Sequence, residues 1–149
     1  MNFEMLSKLV IVQLFLLFFQ FGLGMWNNLY ALISLKAPFS FFVYSGGLEV
    51  LAHITDGVLI LALGFTIVWI SSKTKNSIAL KLSVLAVVFT LSAIVNGILF
   101  LVIFLFPALY SIDNYFSMAM ATSFLAAFTV LFSELHTIEK LENVTYSTR

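Results

Sequence analysis

The sequence contains no cysteine, which excludes disulfide bonds, thiolate metal sites and catalysis by a thiol. Histidine occurs only twice, so protein side chains alone supply too few ligands for a zinc enzyme. The seven Lys and Arg residues balance the seven Asp and Glu residues. A chain of zero net charge lacks the basic surface that binds nucleic acid, so we expect no nucleic-acid partner.

Charge of either sign is scarce. Charged residues make up 9% of the 149 residues and hydrophobic residues 62%, with a mean hydropathy of +1.10. An ordinary soluble domain has about 25% charged residues. Because this chain has too little polar surface to cover a globule in water, a single domain in the lipid bilayer is the expected solution.

Four long apolar runs predict four membrane-spanning helices, because a helix of about 20 residues crosses the hydrocarbon core. We expect an all-α integral membrane four-helix bundle, with spans at about 6–26, 48–70, 80–106 and 114–135. Residues 1–142 form this single membrane domain. Within it we expect an apolar outer loop at 27–47 and a cytoplasmic helical tail at 133–142, followed by a frayed C-terminus at 143–149.

The only cationic cluster, Lys73, Lys75 and Lys81, lies between the second and third spans. The positive-inside rule then predicts that this loop and both termini lie in the cytoplasm. We therefore expect a multi-pass protein of the cell membrane. Four helices cannot bury all seventeen Phe residues, so many must face lipid, other membrane subunits or further copies of the chain.

The second span carries three ionisable residues, Glu49, His53 and Asp56, in an otherwise apolar run. At 100° per residue they share one helix face within an arc of about 60°. An ionisable group in hydrocarbon is costly unless it is paired, neutralised or hydrated, so it marks a candidate functional site. This face is the strongest functional signal in the sequence.

Polar residues on the other spans reach a similar depth when each residue rises about 1.5 Å along its helix. On the first span, Gln13, Gln20 and Asn27 recur every seven residues and should face the bundle interior. In the outer half of the bundle we expect one polar cluster around His53, with Asp56 beside Asn96. Its other members are Gln20, Asp56, Asn96 and Thr122.

Three roles remain open for His53: a neutral imidazole satisfied by its polar neighbours, a haem ligand, or part of a proton relay. Met118 and Met120, near the outer start of the fourth span, could reach the depth of His53. A His/Met pair is a known form of haem ligation. Methionine in a Phe-rich bundle also serves simply to fill the core.

Three segments together resemble one four-helix half of the heme A synthase family. LEVLAHITDGVLILALG places an acid and a His at the outer start of the second helix, NGILFLVIFLFP ends the third, and YFSMAMATSF opens the fourth. The resemblance implies an axial haem ligand at His53 with Glu49 as the accompanying acid. Ser117, Met118 or Met120 stands where the family has its second His, so catalysis does not carry over. The chain is also similar to small archaeal four-helix membrane proteins.

These observations predict a small redox-linked membrane protein that binds or serves a haem through His53. The accompanying cofactor-binding residues are Glu49, Met118 and Met120, and we expect no cofactor other than haem. One alternative is a non-catalytic accessory subunit of a larger membrane complex of respiratory or oxidase type. The other is a proton- or cation-coupled transporter using Asp56, which would need a homodimer. The sequence favours a protein without catalysis of its own and leaves that question open.

Overall fold

The computed structural model describes residues 3–30, 47–74, 76–104 and 112–147. These residues form four helices: α1, Phe3–Tyr30; α2, Gly47–Lys73; α3, Ser77–Phe104; and α4, Asp113–Ser147. All four are long and apolar enough to cross a membrane, by length and composition. The prediction of an all-helical chain with four candidate membrane-spanning helices is confirmed.

The helix ends refine the predicted segments. Residues 27–30 of the expected outer loop belong to α1 and Gly47 begins α2, while residues 31–46 lie outside the described residues. Helix α4 continues through the expected tail at 133–142 and into the segment expected to fray, ending at Ser147. The end of the third predicted span, at 105–106, also lies outside the described residues.

The four helices form a ring in which each packs against two neighbours, in the order α1, α2, α3, α4 and back to α1. Gln20 lies beside His53 and Gln13 beside Ile60, so α1 and α2 are antiparallel. The α3–α4 hydrogen bonds also run in opposite order along the two helices. The described helices are therefore an up-down-up-down bundle. The start of α1, the end of α4 and the α2–α3 connection share one end of it.

Buried residues on α1 and α4 follow the spacing of four, three and four residues that is typical of packed helix seams. On α1 these are Leu6, Val10, Gln13 and Leu17, and on α4 they are Ala127, Leu131, Glu134 and Ile138. Among the described residues, several buried positions are polar or charged. They are Gln13, Asp56, Ser71, Ser83, Thr90 and Glu134.

The outside of the bundle is strongly apolar. Phe15, Phe18 and Trp69 each expose more than half of their side chains, and Leu48 exposes 80%. In water such a surface would be an extended hydrophobic patch, whereas in a bilayer it faces hydrocarbon. A core of apolar residues with a few enclosed polar groups, and an apolar outer surface, is the arrangement that suits a membrane-spanning bundle.

The α2–α3 connection is fixed by side-chain hydrogen bonds. Thr74 Oγ1 donates to the carbonyl of Ser71 at 2.7 Å. Asn76 Oδ1 accepts from the backbone N–H groups of Ile78 and Ala79 at 3.0 and 2.9 Å. Asn76 is therefore the N-cap of α3, since its side chain satisfies two N–H groups that have no partner within the helix. This connection holds the last turn of α2 beside the first turns of α3.

Candidate functional site

Gln20 on α1 and His53 on α2 form a polar pair, and the buried Asp56 follows one helical turn after His53 on α2. We call these three residues the His53 layer. Gln20 Nε2 lies 3.4 Å from His53 Nε2. Two glycines leave the room for this pair: a Cβ atom on Gly24 would lie 3.3 Å from His53 Cε1, and one on Gly57 would lie 3.3 Å from Gln20 Nε2. A methyl group at either position would therefore press against this pair, whose side chains would have to shift by a few tenths of an ångström.

Three atoms of the His53 layer are buried and have no hydrogen-bond partner: Gln20 Oε1, His53 Nδ1 and Asp56 Oδ2. Asp56 is only 5% exposed. When the Gln20 amide donates to His53 Nε2, the ring proton must sit on Nδ1. Buried polar groups without partners are rare in folded proteins and point to a functional role or a bound guest.

Two residues expected in the same polar cluster as Asp56 bond to their own helices instead. Asn96 Nδ2 donates to the carbonyl of Ser92 at 2.7 Å, and the Thr122 hydroxyl donates to the carbonyl of Met118 at 2.8 Å. Thr122 is also exposed. The structure thus pairs Gln20 with His53 and buries Asp56 one turn further along α2, while Asn96 and Thr122 make hydrogen bonds within their own helices.

The other residues expected to accompany a haem occupy different surroundings. Glu49 is half-buried, one helical turn before His53. Met118 is 68% exposed on α4. Met120 is half-buried, and its Sδ lies 3.2 Å from where a Cβ atom of Gly97 would be, so it packs against α3. Haem ligation by His53, with either methionine, stays a prediction.

Gln13 lies further along the same seam, about 10 Å from Gln20 at the helical rise of about 1.5 Å per residue. It is 1% exposed, and its Nε2 lies 3.5 Å from the carbonyl oxygen of Ile60. Gly64 leaves the space for this side chain, because a Cβ atom there would lie 3.2 Å from Gln13 Nε2. Gln13 Oε1 is buried without a hydrogen-bond partner. The expected inward polar stripe of α1 is therefore present at Gln13 and Gln20.

A second polar group, which we call the Glu134 layer, joins three helices. Ser83 on α3 donates a short hydrogen bond to Glu134 Oε1 on α4. Ser71 Oγ on α2 lies 3.4 Å from the same oxygen and 2.7 Å from Ser83 Oγ. All three residues are fully or almost fully buried, and Glu134 Oε2 has no hydrogen-bond partner.

No ion pair to Glu134 occurs within the described ranges. The salt bridge that these ranges contain joins Lys8 to Glu4 at 2.6 Å, and both residues are exposed. Lys73 places its ammonium 3.3 Å from the centre of the Trp69 ring. The described residues also contain no group of three or more His, Cys, Asp or Glu side chains that could hold a metal ion. The Glu134 carboxyl is therefore buried without a cation beside it from the described part of the chain.

Sequence reasoning placed Glu134 in the polar tail and did not single it out. The sequence feature that indicates its burial is its spacing within the inner face of α4, three residues after Leu131 and four before Ile138. Both of these neighbours are fully buried, so the same helix face carries Glu134 inward.

The two layers and Gln13 lie along the inside of the bundle, with buried apolar residues such as Ile60, Ile67 and Leu131 between them. We call these polar residues together the polar column. Within the described parts, five buried side-chain atoms lack a hydrogen-bond partner, and all of them belong to this column: Gln13 Oε1, Gln20 Oε1, His53 Nδ1, Asp56 Oδ2 and Glu134 Oε2. Four of the five are oxygen atoms, which accept hydrogen bonds or coordinate cations. Each of these oxygens can therefore accept a hydrogen bond or coordinate a small cation.

In comparisons with known proteins, the chain matches no family model, no curated protein and no solved structure. The chemistry of its own polar column is therefore the basis for assigning a function.

Proposed function

We propose that this protein passes protons or small monovalent cations through the polar interior of a membrane-embedded bundle, with Asp56 as an ion-exchanging carboxyl. The observation that carries the proposal is the set of buried, unpartnered oxygen atoms along the column. Ionisable and polar groups inside membrane helices typically line the pathways of ions and protons.

The charge of these groups favours a positive guest over a negative one. The unpartnered oxygens of Gln13, Gln20, Asp56 and Glu134 present lone pairs to the interior. An anion placed there would face oxygen atoms and further negative charge. A cation, a hydronium ion or a chain of water molecules would instead find acceptors in the His53 layer, at Gln13 and in the Glu134 layer.

Four helices make a small transporter, so we propose that copies of the chain assemble as a homo-oligomer in the bilayer. The wide apolar outer surface supports such contacts. Packing against other membrane subunits, as an accessory subunit of a larger complex, is the alternative. Gentle solubilisation followed by mass spectrometry distinguishes these assemblies. A homo-oligomer gives multiples of the mass of one chain, whereas an accessory subunit is recovered with other proteins in a fixed stoichiometry.

Flux through reconstituted liposomes tests the proposal. A pH-sensitive dye inside the vesicles reports proton entry when a potassium diffusion potential is imposed, and radioactive sodium reports cation entry. We expect Asp56→Asn to reduce the measured flux by about tenfold or more, because the amide cannot exchange a proton or hold a charge. Glu139→Gln, at an exposed acid on α4, is the matched control and should retain the flux. No flux with the wild-type protein, or equal flux with Asp56→Asn, contradicts the proposal.

Haem binding through His53 is the second candidate, in line with a redox-linked role. It is supported by the buried Nδ1 atom of His53, a ring nitrogen with no hydrogen-bond partner. A porphyrin iron at Nε2 would have to displace the Gln20 amide, which lies 3.4 Å from that atom. The imidazole would hold the iron, and the haem would supply one-electron chemistry.

A reduced-minus-oxidised absorption spectrum of the purified protein tests this candidate. We expect a haem spectrum that His53→Ala removes and that His136→Ala, at the exposed second histidine, leaves intact. A colourless preparation after haem supplementation argues against haem binding.

We propose that the protein lies in the cell membrane with both termini and the α2–α3 connection in the cytoplasm, on the support of the lysine cluster. The absence of cysteine makes this orientation simple to test with single-cysteine variants. A membrane-impermeant maleimide should label Tyr115→Cys in intact cells, and Lys140→Cys only after permeabilisation. Both positions are exposed. The opposite labelling pattern would reverse the orientation.

A further inference from the structure

We propose that Ser71, Ser83 and Glu134 form a binding site for one sodium ion, which exchanges with a proton at the Glu134 carboxyl. The proposal gives the pathway described above a specific ion and a second carboxyl. Only the role of this site in transport rests on the proposed function. Sodium binding to the Glu134 layer can be measured without any transport.

The donor atoms come from three different helices and are all oxygen. Ser71 Oγ, Ser83 Oγ and Glu134 Oε1 lie within hydrogen-bonding distance of one another. The carbonyl of Ala79, 2.9 Å from Ser83 Oγ, adds a backbone oxygen at the edge of this group. Hydroxyl, carboxylate and carbonyl oxygens are the ligands that hard cations prefer.

The unpartnered oxygen gives independent support for a guest. Glu134 is 0% exposed, and its Oε2 is buried without a hydrogen-bond partner. If the carboxyl is ionised, Oε2 is an acceptor without a donor; if Oε2 carries a proton, it is a donor without an acceptor. A cation bound by both carboxylate oxygens would give Oε2 the partner that the described side chains do not provide.

Charge balance selects a monovalent ion. A buried carboxylate is costly unless its charge is neutralised, and the Glu134 layer contains a single carboxyl group. One proton or one monovalent cation neutralises it, whereas a divalent cation would leave an excess positive charge in the interior. Protons and sodium ions should therefore occupy the site in turn.

The charged side chains described on the four helices do not neutralise Glu134. Lys73 on α2 and Lys81 on α3 are exposed, and Lys8 on α1 bonds to Glu4. On α4 itself the nearby ionisable residues are exposed except for the half-buried Glu142; they are His136, Glu139, Lys140 and Glu142. Among the described side chains, then, no lysine ammonium replaces the proposed ion.

The site is close to one end of the bundle. Ser71 lies two residues before the end of α2 at Lys73, and Ser83 lies six residues after the start of α3. At a rise of about 1.5 Å per residue, both are within about 10 Å of the α2–α3 connection. The proposed site therefore lies nearer to this end of the bundle than Asp56 does.

Equilibrium binding of radioactive sodium to the full-length protein in detergent tests the site. In choline buffer we expect saturation at one ion per chain, with an apparent Kd that rises about tenfold for each unit of pH decrease once protons occupy the site. Glu134→Gln should abolish binding, while Glu139→Gln should leave the Kd unchanged. Circular dichroism and size-exclusion chromatography confirm that each variant is folded.

The serine ligands provide a second test that keeps the carboxyl in place. Ser71→Ala combined with Ser83→Ala should raise the Kd for sodium by about tenfold or more, because two ligand oxygens are lost. Ser72→Ala, at the exposed neighbouring serine, should not change it.

The outcomes separate this site from the transport proposal. Saturable sodium binding that survives Glu134→Gln, or no saturable binding by the folded wild-type protein, overturns the site. Binding of rubidium in place of sodium overturns the choice of ion. Asp56→Asn should retain sodium binding, since the two carboxyls lie in separate layers. Intact sodium binding without Asp56-dependent flux would contradict the transport proposal alone.

Discussion

Gly64 offers the sharpest test of the packing that builds the polar column. A Cβ atom at this position would lie 3.0 Å from Val87 Cγ2 and 3.2 Å from Gln13 Nε2. Both neighbours are buried, so neither can move without disturbing the contact between α2 and its neighbours. Gly64→Ala should therefore separate the helices locally and displace the Gln13 side chain.

Gly22→Ala is the matched control, because a Cβ atom at Gly22 would have nothing within 4 Å. Both substitutions gain the helix preference of Ala over Gly, about 0.5–1 kcal/mol. Only Gly64→Ala adds the cost of overpacking, about 1–3 kcal/mol. The difference in the free energy of unfolding between the two variants should thus be about 1–3 kcal/mol, with Gly64→Ala the less stable.

Titration with SDS from a mild detergent measures this difference, with the fluorescence of the two Trp residues and circular dichroism as probes. Equal midpoints for the two variants would refute the close packing of α2 against Val87 and Gln13. A stabilised Gly64→Ala variant would refute it more strongly.

Two further predictions use the same titration. Asn76→Ala should lower the free energy of unfolding by about 1 kcal/mol, because it removes the N-cap of α3. Asn76→Asp keeps an acceptor oxygen and should therefore retain most of this stability. An unchanged stability of the Ala variant would argue against the cap. Leu131→Ala should lower the free energy of unfolding by about 2–5 kcal/mol, because the Leu131 side chain is fully buried. Leu125 is 62% exposed on the same helix, so Leu125→Ala should lower it by about 1 kcal/mol or less. Similar losses at both leucines would contradict the assigned inner face of α4.

The four helices were predictable because bilayer thickness sets the length of an apolar run. The runs were also interrupted between helices: Gly46 comes immediately before α2, Gly47 is its first residue, and the lysine cluster lies around its end. The heptad spacing of Gln13 and Gln20 correctly indicated an inward stripe. These features depend on local composition and period, which the sequence displays directly.

The partners of Asp56 were harder to predict. Helical rise places Asn96 at a depth similar to that of Asp56, but depth does not fix the direction in which a side chain points around its helix. Asn96 also has a local alternative, the carbonyl of Ser92 four residues earlier, and it donates there at 2.7 Å. Such local bonds between a side chain and the backbone compete with contacts across helices.

Glu134 was missed for a different reason. The polar residues that follow it, among them His136, Glu139 and Lys140, are typical of a helix leaving the membrane. Those three are exposed, whereas Ile138, between them in sequence, is fully buried. The regular spacing of the buried residues Leu131, Glu134 and Ile138 indicates that this part of α4 still packs on the bundle. The average polarity of the segment after Glu134 does not indicate this.

The short connection between α2 and α3 has a consequence for how the chain is made. Only residues 74–76 separate the end of α2 from the start of α3, and Asn76 and Thr74 fix the backbone there. This link is too short for one helix to cross the bilayer while the next helix remains in the aqueous phase. If α2 and α3 span the bilayer as proposed, they should insert during biosynthesis as a single hairpin, so that one insertion event decides the orientation of both.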